Sequence, residues 1–113
     1  MHEMALTESL VEIAVEEARR QAARRVLKIR LDVGALSHAE PEALAFCFEA
    51  VAVGTIAEGA ALLIERPAGV GWCEDCAKSV SLSERFSACP ECGGYRVKMT
   101  AGDEFRIREL EIE

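Results

Sequence analysis

Along residues 4–24 apolar positions recur at the spacing of one helix face. Leu6, Leu10, Val11, Ala14, Val15, Ala18 and Ala22 share an arc, and Glu8, Glu12, Glu16, Arg19 and Arg20 fill the other side. The acids come early and the arginines late, which suits the helix dipole. From residue 25 to 34 the period drops to two. Leu27, Ile29, Leu31 and Val33 alternate with Lys28, Arg30 and Asp32, the pattern of a half-buried strand stopped by Gly34. Ser37-His38-Ala39-Glu40 has capping-box form and Pro41 fits a first helical position. These signals predict a helix over about 41–53, with Leu44, Cys47, Phe48 and Val51 on one face and Gly54 at C′. A second strand reads over about 60–66, up to Pro67. Phe105 to Glu113 alternates again, but the phase slips between Ile107 and Leu110, through a bulge or a change of covered face.

Between these segments lies a stretch of different character. Residues 68–101 are thin in apolar side chains, and glycines punctuate the stretch and its end. The last strand is expected to return to the first sheet. The stretch is then an insertion in an α+β fold: a small mixed sheet of about three strands with two helices. The expected domains are 1–67 with 102–113, and 68–101.

The insertion carries Cys73-Glu74-Asp75-Cys76, twelve residues, then Cys89-Pro90-Glu91-Cys92-Gly93-Gly94. Two CxxC pairs at this separation read as a four-thiolate zinc site in a ribbon-like unit. Two disulfides or a dithiol redox pair are the other readings. Four thiolate ligands leave the ion no open position, so such a zinc is structural. Some thirty residues bury too little surface to hold themselves together, and the metal is expected to supply the difference.

With 113 residues, half of them hydrophobic and only 5% aromatic, the core must be aliphatic and alanine-rich. No run approaches the roughly 18 apolar residues of a membrane span, and no basic leader precedes the first helix. Five cysteines, four in metal spacing, point to a reducing cytoplasm. The net charge of −7 disfavours phosphate backbones and anionic membranes. Trp72, Phe86 and Tyr95 could suggest base stacking. The charges around them are balanced, however, where a nucleic-acid ribbon shows a basic stripe. These aromatics are expected to pack the small hairpins.

Met1-His2-Glu3 gathers an amine, a backbone amide, an imidazole and a carboxylate. Amine, amide nitrogen and His2 Nδ1 can close adjacent chelate rings around a late transition metal such as nickel or copper, which tolerates tetragonal nitrogen ligation. A solvated pair is the plainer reading of a terminal His-Glu. Glu40 either satisfies the start of its helix or supplies an oxygen to a metal held by His2. His38 reads as a solvated turn residue and Cys47 as a buried structural thiol. With two histidines in all and no phosphate loop, no catalytic constellation emerges.

Taken together, these residues resemble the HypA/HybF family of hydrogenase nickel incorporation proteins. The likeness rests on Met1-His2-Glu3 and its helix, Val33-Gly34-Ala35-Leu36-Ser37, Glu40-Pro41-Glu42-Ala43-Leu44, Phe46, Phe48-Glu49, both CxxC pairs and Gly102-Asp103-Glu104-Phe105-Arg106-Ile107. It implies a nickel metallochaperone with an inserted zinc domain, Zn²⁺ as resident ion and Ni²⁺ as cargo. It implies a GTPase partner and, as client, the large-subunit precursor of a [NiFe]-hydrogenase. A homodimer is also within the expectation. His2 carries over as the main nickel ligand, with the backbone nitrogens of His2 and Glu3. Some members have an aspartate where this chain has Glu40. Others have histidines flanking the zinc knuckles, and this chain has none. The rival reading is a zinc-ribbon adaptor with no second metal, which would be indifferent to its N-terminus.

Overall fold

A computed structural model describes residues 2–113. The chain divides into two compact units, the first comprising residues up to Asp32, Ala39–Glu65 and Arg106–Glu113, the second Val33–His38 and Arg66–Phe105.

The first unit contains two helices, α1 (Glu3–Arg20) and α2 (Pro41–Ala52). Its strands are β1 (Val26–Val33) and β2 (Ala61–Glu65), and β6 (Phe105–Ile112) lies on the other side of β1. The sheet is mixed. β1 and β2 run parallel, with Ile29 opposite Leu62 and Leu31 opposite Ile64. β6 runs antiparallel to β1: Glu113 exchanges backbone hydrogen bonds with Arg25, and Arg106 meets Asp32.

The amphipathic readings hold in their centres. Leu10, Val11, Ala14 and Ala18 of α1, Leu44, Phe48 and Ala52 of α2, and Ile29, Leu31 and Val33 of β1 are all buried. Burying each of the larger side chains stabilises by roughly 1.5–3 kcal/mol. Cys47 is only half-buried, so the expected buried thiol sits at the rim of this core.

Helix ends are where the sequence misled. The pattern ran to residue 24, but α1 stops at Arg20. Ala22 turns left-handed at φ +59°, and Ala22 and Ala23 donate to Arg19 and Ala18. That is a Schellman stop without its usual glycine. For α2 the cap is Glu40 itself rather than Ser37, it forms no side-chain cap bond, and Pro41 stands at the first position. The expected capping box therefore does not form. Gly54 does take the left-handed turn after α2, at φ +81°.

Asp32 departs from simple alternation. It lies opposite the core face of β1, yet is only 1% exposed, beneath Arg106 and Arg108 at 3.3 and 3.5 Å. The expected slip in β6 also appears. Arg108 reaches Asp32 and Glu65 while its neighbour Glu109 reaches Arg30. Successive residues thus meet partners on one side, and alternation breaks between them.

The second unit is a three-stranded antiparallel sheet: β3 (Gly69–Cys73) lies between β4 (Lys78–Leu82) and β5 (Val97–Ala101). The segment Val33–His38 is woven into it. Arg66 donates to the carbonyls of Val33 and Gly34, Arg85 to that of Leu36, and Leu36 N–H to Gly102. Gly34 and Gly102 meet so closely that a Cβ on Gly34 would lie 2.0 Å from the Gly102 carbonyl oxygen. Expectation failed for the aromatics: Trp72, Phe86 and Tyr95 are 40%, 93% and 77% exposed and do not fill the hairpins.

Candidate metal centres

Each CxxC knuckle is made by the same local device. After the second cysteine the chain turns left-handed, at Ala77 (φ +54°) and at Gly93 (φ +75°). The N–H of that residue donates to the carbonyl of the first cysteine at 2.8 Å in both knuckles. Glycine does this without a Cβ penalty; alanine does it at some cost. The turn aims backbone N–H groups at sulfur: Cys76 N–H to Cys73 Sγ and Glu91 N–H to Cys89 Sγ, each at 3.4 Å.

The four sulfurs then converge. Cys73 Sγ lies 3.7 Å from Cys92 Sγ and Cys76 Sγ lies 3.8 Å from Cys89 Sγ, with all four within 4.8 Å of one another. Tetrahedral zinc with bonds of about 2.3 Å holds its sulfurs about 3.8 Å apart. The spacing fits that ion, and all four thiols are free of disulfides. Without a cation at their centre, four thiols in mutual contact resist ionising together. Hydrogen bonds to Cys92 and Cys73 push Cys76 up to about 12, while the backbone N–H groups of Cys92 and Glu91 draw Cys89 down to about 7. A divalent cation removes the conflict by binding all four as thiolates. Two ion pairs brace the knuckles crosswise. Asp75 of the first meets Arg96 beyond the second at 3.0 Å, and Glu91 of the second meets Lys78 beyond the first at 2.6 Å.

The other sequence-predicted ligands lie in the first unit. His2 is exposed and stands at the N-cap of α1, with no side-chain cap bond. Leu6 N–H donates to the His2 carbonyl at 2.9 Å and opens the helix ladder. The nitrogens of His2 and Glu3 precede that first rung. The Glu3 carboxylate accepts the Glu40 N–H at 3.2 Å. This contact ties the start of α1 to the start of α2 and brings residue 40 beside the terminus. Sequence reasoning placed Glu40 near His2 but missed that Glu3 makes the link. Nothing in residue spacing signals a bond spanning 37 positions. Met1 lies outside the described residues, and His38 falls in the second unit, exposed.

Fold and cysteine cluster together define a small metal-binding protein whose chemistry is ligation. A family model described as "Hydrogenase/urease nickel incorporation, metallochaperone, hypA" matches residues 1–112. The chain belongs to this family. It is a nickel metallochaperone of hydrogenase maturation, a maturation factor rather than an enzyme. Curated relatives agree along the whole length. "Hydrogenase maturation factor HypA" of Rhizobium leguminosarum bv. viciae is 60% identical over 99% of both chains, and that of Methylocella silvestris is 58% identical over 100% of both. The fold is shared with a solution structure titled as the Ni metallochaperone HypA from Helicobacter pylori. That structure has a TM-score of 0.73 and 24% identity, covering 99% of this chain and 97% of that one.

Proposed function

We propose that Ni²⁺ is carried at the start of α1 and that Zn²⁺ is the resident ion of the cysteine cluster. His2 supplies the imidazole and His2 and Glu3 the backbone nitrogens. Glu3 or Glu40 adds an oxygen. The observation that supports this reading is the Glu3–Glu40 contact at 3.2 Å, which gathers all three residues around one exposed point. Nitrogens ahead of the first helix rung can bind a cation without breaking the helix. A carrier must also let go. An exposed chelate releases its ligands one at a time to a competing partner, whereas a closed four-thiolate site does not exchange readily.

The cargo goes to the large-subunit precursor of a [NiFe]-hydrogenase, with a GTPase as maturation partner. The free thiols suit the reducing cytoplasm. Among the described residues no helix is long and apolar enough to cross a membrane. The test is hydrogenase maturation in a host lacking its own chaperone. His2→Ala is expected to fail at limiting nickel and to recover in part when nickel is in excess. Full maturation by His2→Ala at limiting nickel would refute the assignment.

A further inference from the structure

Helix α2 has a second face, opposite the core. Phe48 belongs to the core and is 3% exposed, whereas Phe46, two positions earlier, is 79% exposed. Glu42, Phe46, Glu49 and Val53 recur at helical spacing and form one stripe, with Val53 at the C-cap. All four are exposed, Val53 by 63%. Val53 also borders an open groove of about 420 Å³, with Glu49 and Glu58 beside it. The turn that follows the helix is fixed by its own polar groups. Glu58 accepts the Gly54 N–H at 3.0 Å, and the Thr55 hydroxyl donates to the Ala52 carbonyl at 2.8 Å.

The charges on this face are unbalanced. No lysine or arginine lies between Arg30 and Arg66, a span that holds Glu40, Glu42, Glu49 and Glu58. Among the described residues Glu42 and Glu49 have no ion pair. The two helices differ in the same respect. Arg19 and Arg20 in the last turn of α1 offset the negative end of its dipole, whereas the last turn of α2 holds Glu49 and no basic residue.

We infer that this face of α2 docks a basic amphipathic helix of a partner protein. Apolar side chains of that helix cover Phe46 and Val53, and its lysines or arginines meet Glu42 and Glu49. Phe46 and Val53 are one heptad apart, as are Glu42 and Glu49, so one helix laid along α2 reaches both pairs. Such a segment offsets two unfavourable features of the free chain, its exposed apolar stripe and its uncompensated helix end. An acidic segment would leave the second unrelieved. The inference holds whichever residues carry nickel. One helix against another is a small contact by the standard of stable complexes, so the association is weak, reversible and reduced by salt.

The test is fluorescence anisotropy of two labelled synthetic helical peptides, titrated with the metal-loaded full chain at about 0.15 M salt. Both peptides carry leucines one heptad apart; one flanks them with lysines, the other with glutamates. The lysine peptide is expected to bind with a Kd below about 100 µM, about tenfold more tightly than the glutamate peptide. Phe46→Ala and Glu49→Lys are each expected to weaken it about tenfold, and Glu49→Lys to bring the two peptides within about threefold of each other. Glu12→Lys makes the same change of net charge on α1 and is expected to shift lysine-peptide binding by less than about twofold. All three positions are exposed, and zinc content with circular dichroism confirms that each variant is folded. Absent binding of the lysine peptide, equal binding of the two peptides, or a loss in Glu12→Lys as large as in Glu49→Lys would overturn the proposal. Self-association that Phe46→Ala removes while peptide binding is unchanged would assign the face to a second copy and overturn it equally.

Discussion

The two units of this small chain are held together by different physics. In the first, side chains from two helices and a strand meet in a closed aliphatic core: Leu10, Ile29, Leu31, Leu44 and Val26 are almost wholly buried. In the second, the cluster beside the knuckles is Cys73, Val80 and Cys89, with Cys76 and Val97 packed against it. Three of those five residues belong to the four-cysteine cluster that could hold a metal ion. Burial stabilises the one; in the proposed account ligation stabilises the other. The same contrast separates the two proposed metals. A resident ion that is part of the fold is enclosed by four side chains, whereas cargo is held at an exposed terminus that can open.

The largest effect that sharpens this contrast is expected from Cys89→Ser. Structural zinc contributes on the order of 10 kcal/mol in small modules. The second unit should lose its ordered structure while α1 and α2 persist. Amide spectra would show one set of residues collapsing and the other unmoved. Dispersed signals from residues 66–105 together with one tightly held zinc would break the comparison.

The reciprocal change is Leu44→Ala, which empties the core of the first unit. Leu44 is fully buried, so a loss of about 2–5 kcal/mol is expected in urea denaturation. Zinc content should stay at one ion per chain under native conditions. Loss of zinc in the folded variant would show that the cores are not independently stabilised.

Gly34→Ala tests the segment woven into the second unit. The added Cβ would strike backbone at Gly102, which cannot rotate away as a side chain can. A loss of about 1–3 kcal/mol is expected, read as a lower midpoint of thermal unfolding. Asp32→Ala should do less. Its arginine partners are 67% and 57% exposed and rehydrate when the carboxylate is removed. Solvent screening limits the cost to about 1 kcal/mol, despite the burial of Asp32 itself.

What was legible in the sequence follows from the same contrast. The periodicity of α1, β1 and α2 registers a core on one side of each element, so Leu10, Ile29 and Leu44 could be read directly. The cysteines could be read because a tetrahedral site needs two knuckles at ribbon spacing. Their convergence within 4.8 Å needed no further signal. Three features were hidden. Ala22 ends α1 and Ala77 completes a knuckle in conformations that a sequence announces only through glycine. Asp32 is buried by arginines that come from a strand 74 positions away. The exposed aromatics looked like core because aromatics usually are, and the charge balance that argued against nucleic acid gave no hint of their exposure. At the N-terminus the residue types were visible, but the Glu3–Glu40 contact that gathers them was not.

The central claim is that cargo and resident metal occupy separate sites of different character. Its most direct test is a nickel titration by calorimetry on untagged protein, wild type beside His2→Ala, with zinc assayed in both. The expected result is that His2→Ala abolishes nickel binding while retaining one zinc per chain and the helical signal of the wild type. In the wild type, nickel affinity should fall as pH falls, since protons compete for the same nitrogen lone pairs. Wild-type nickel affinity in His2→Ala, or zinc lost along with nickel, would contradict the account.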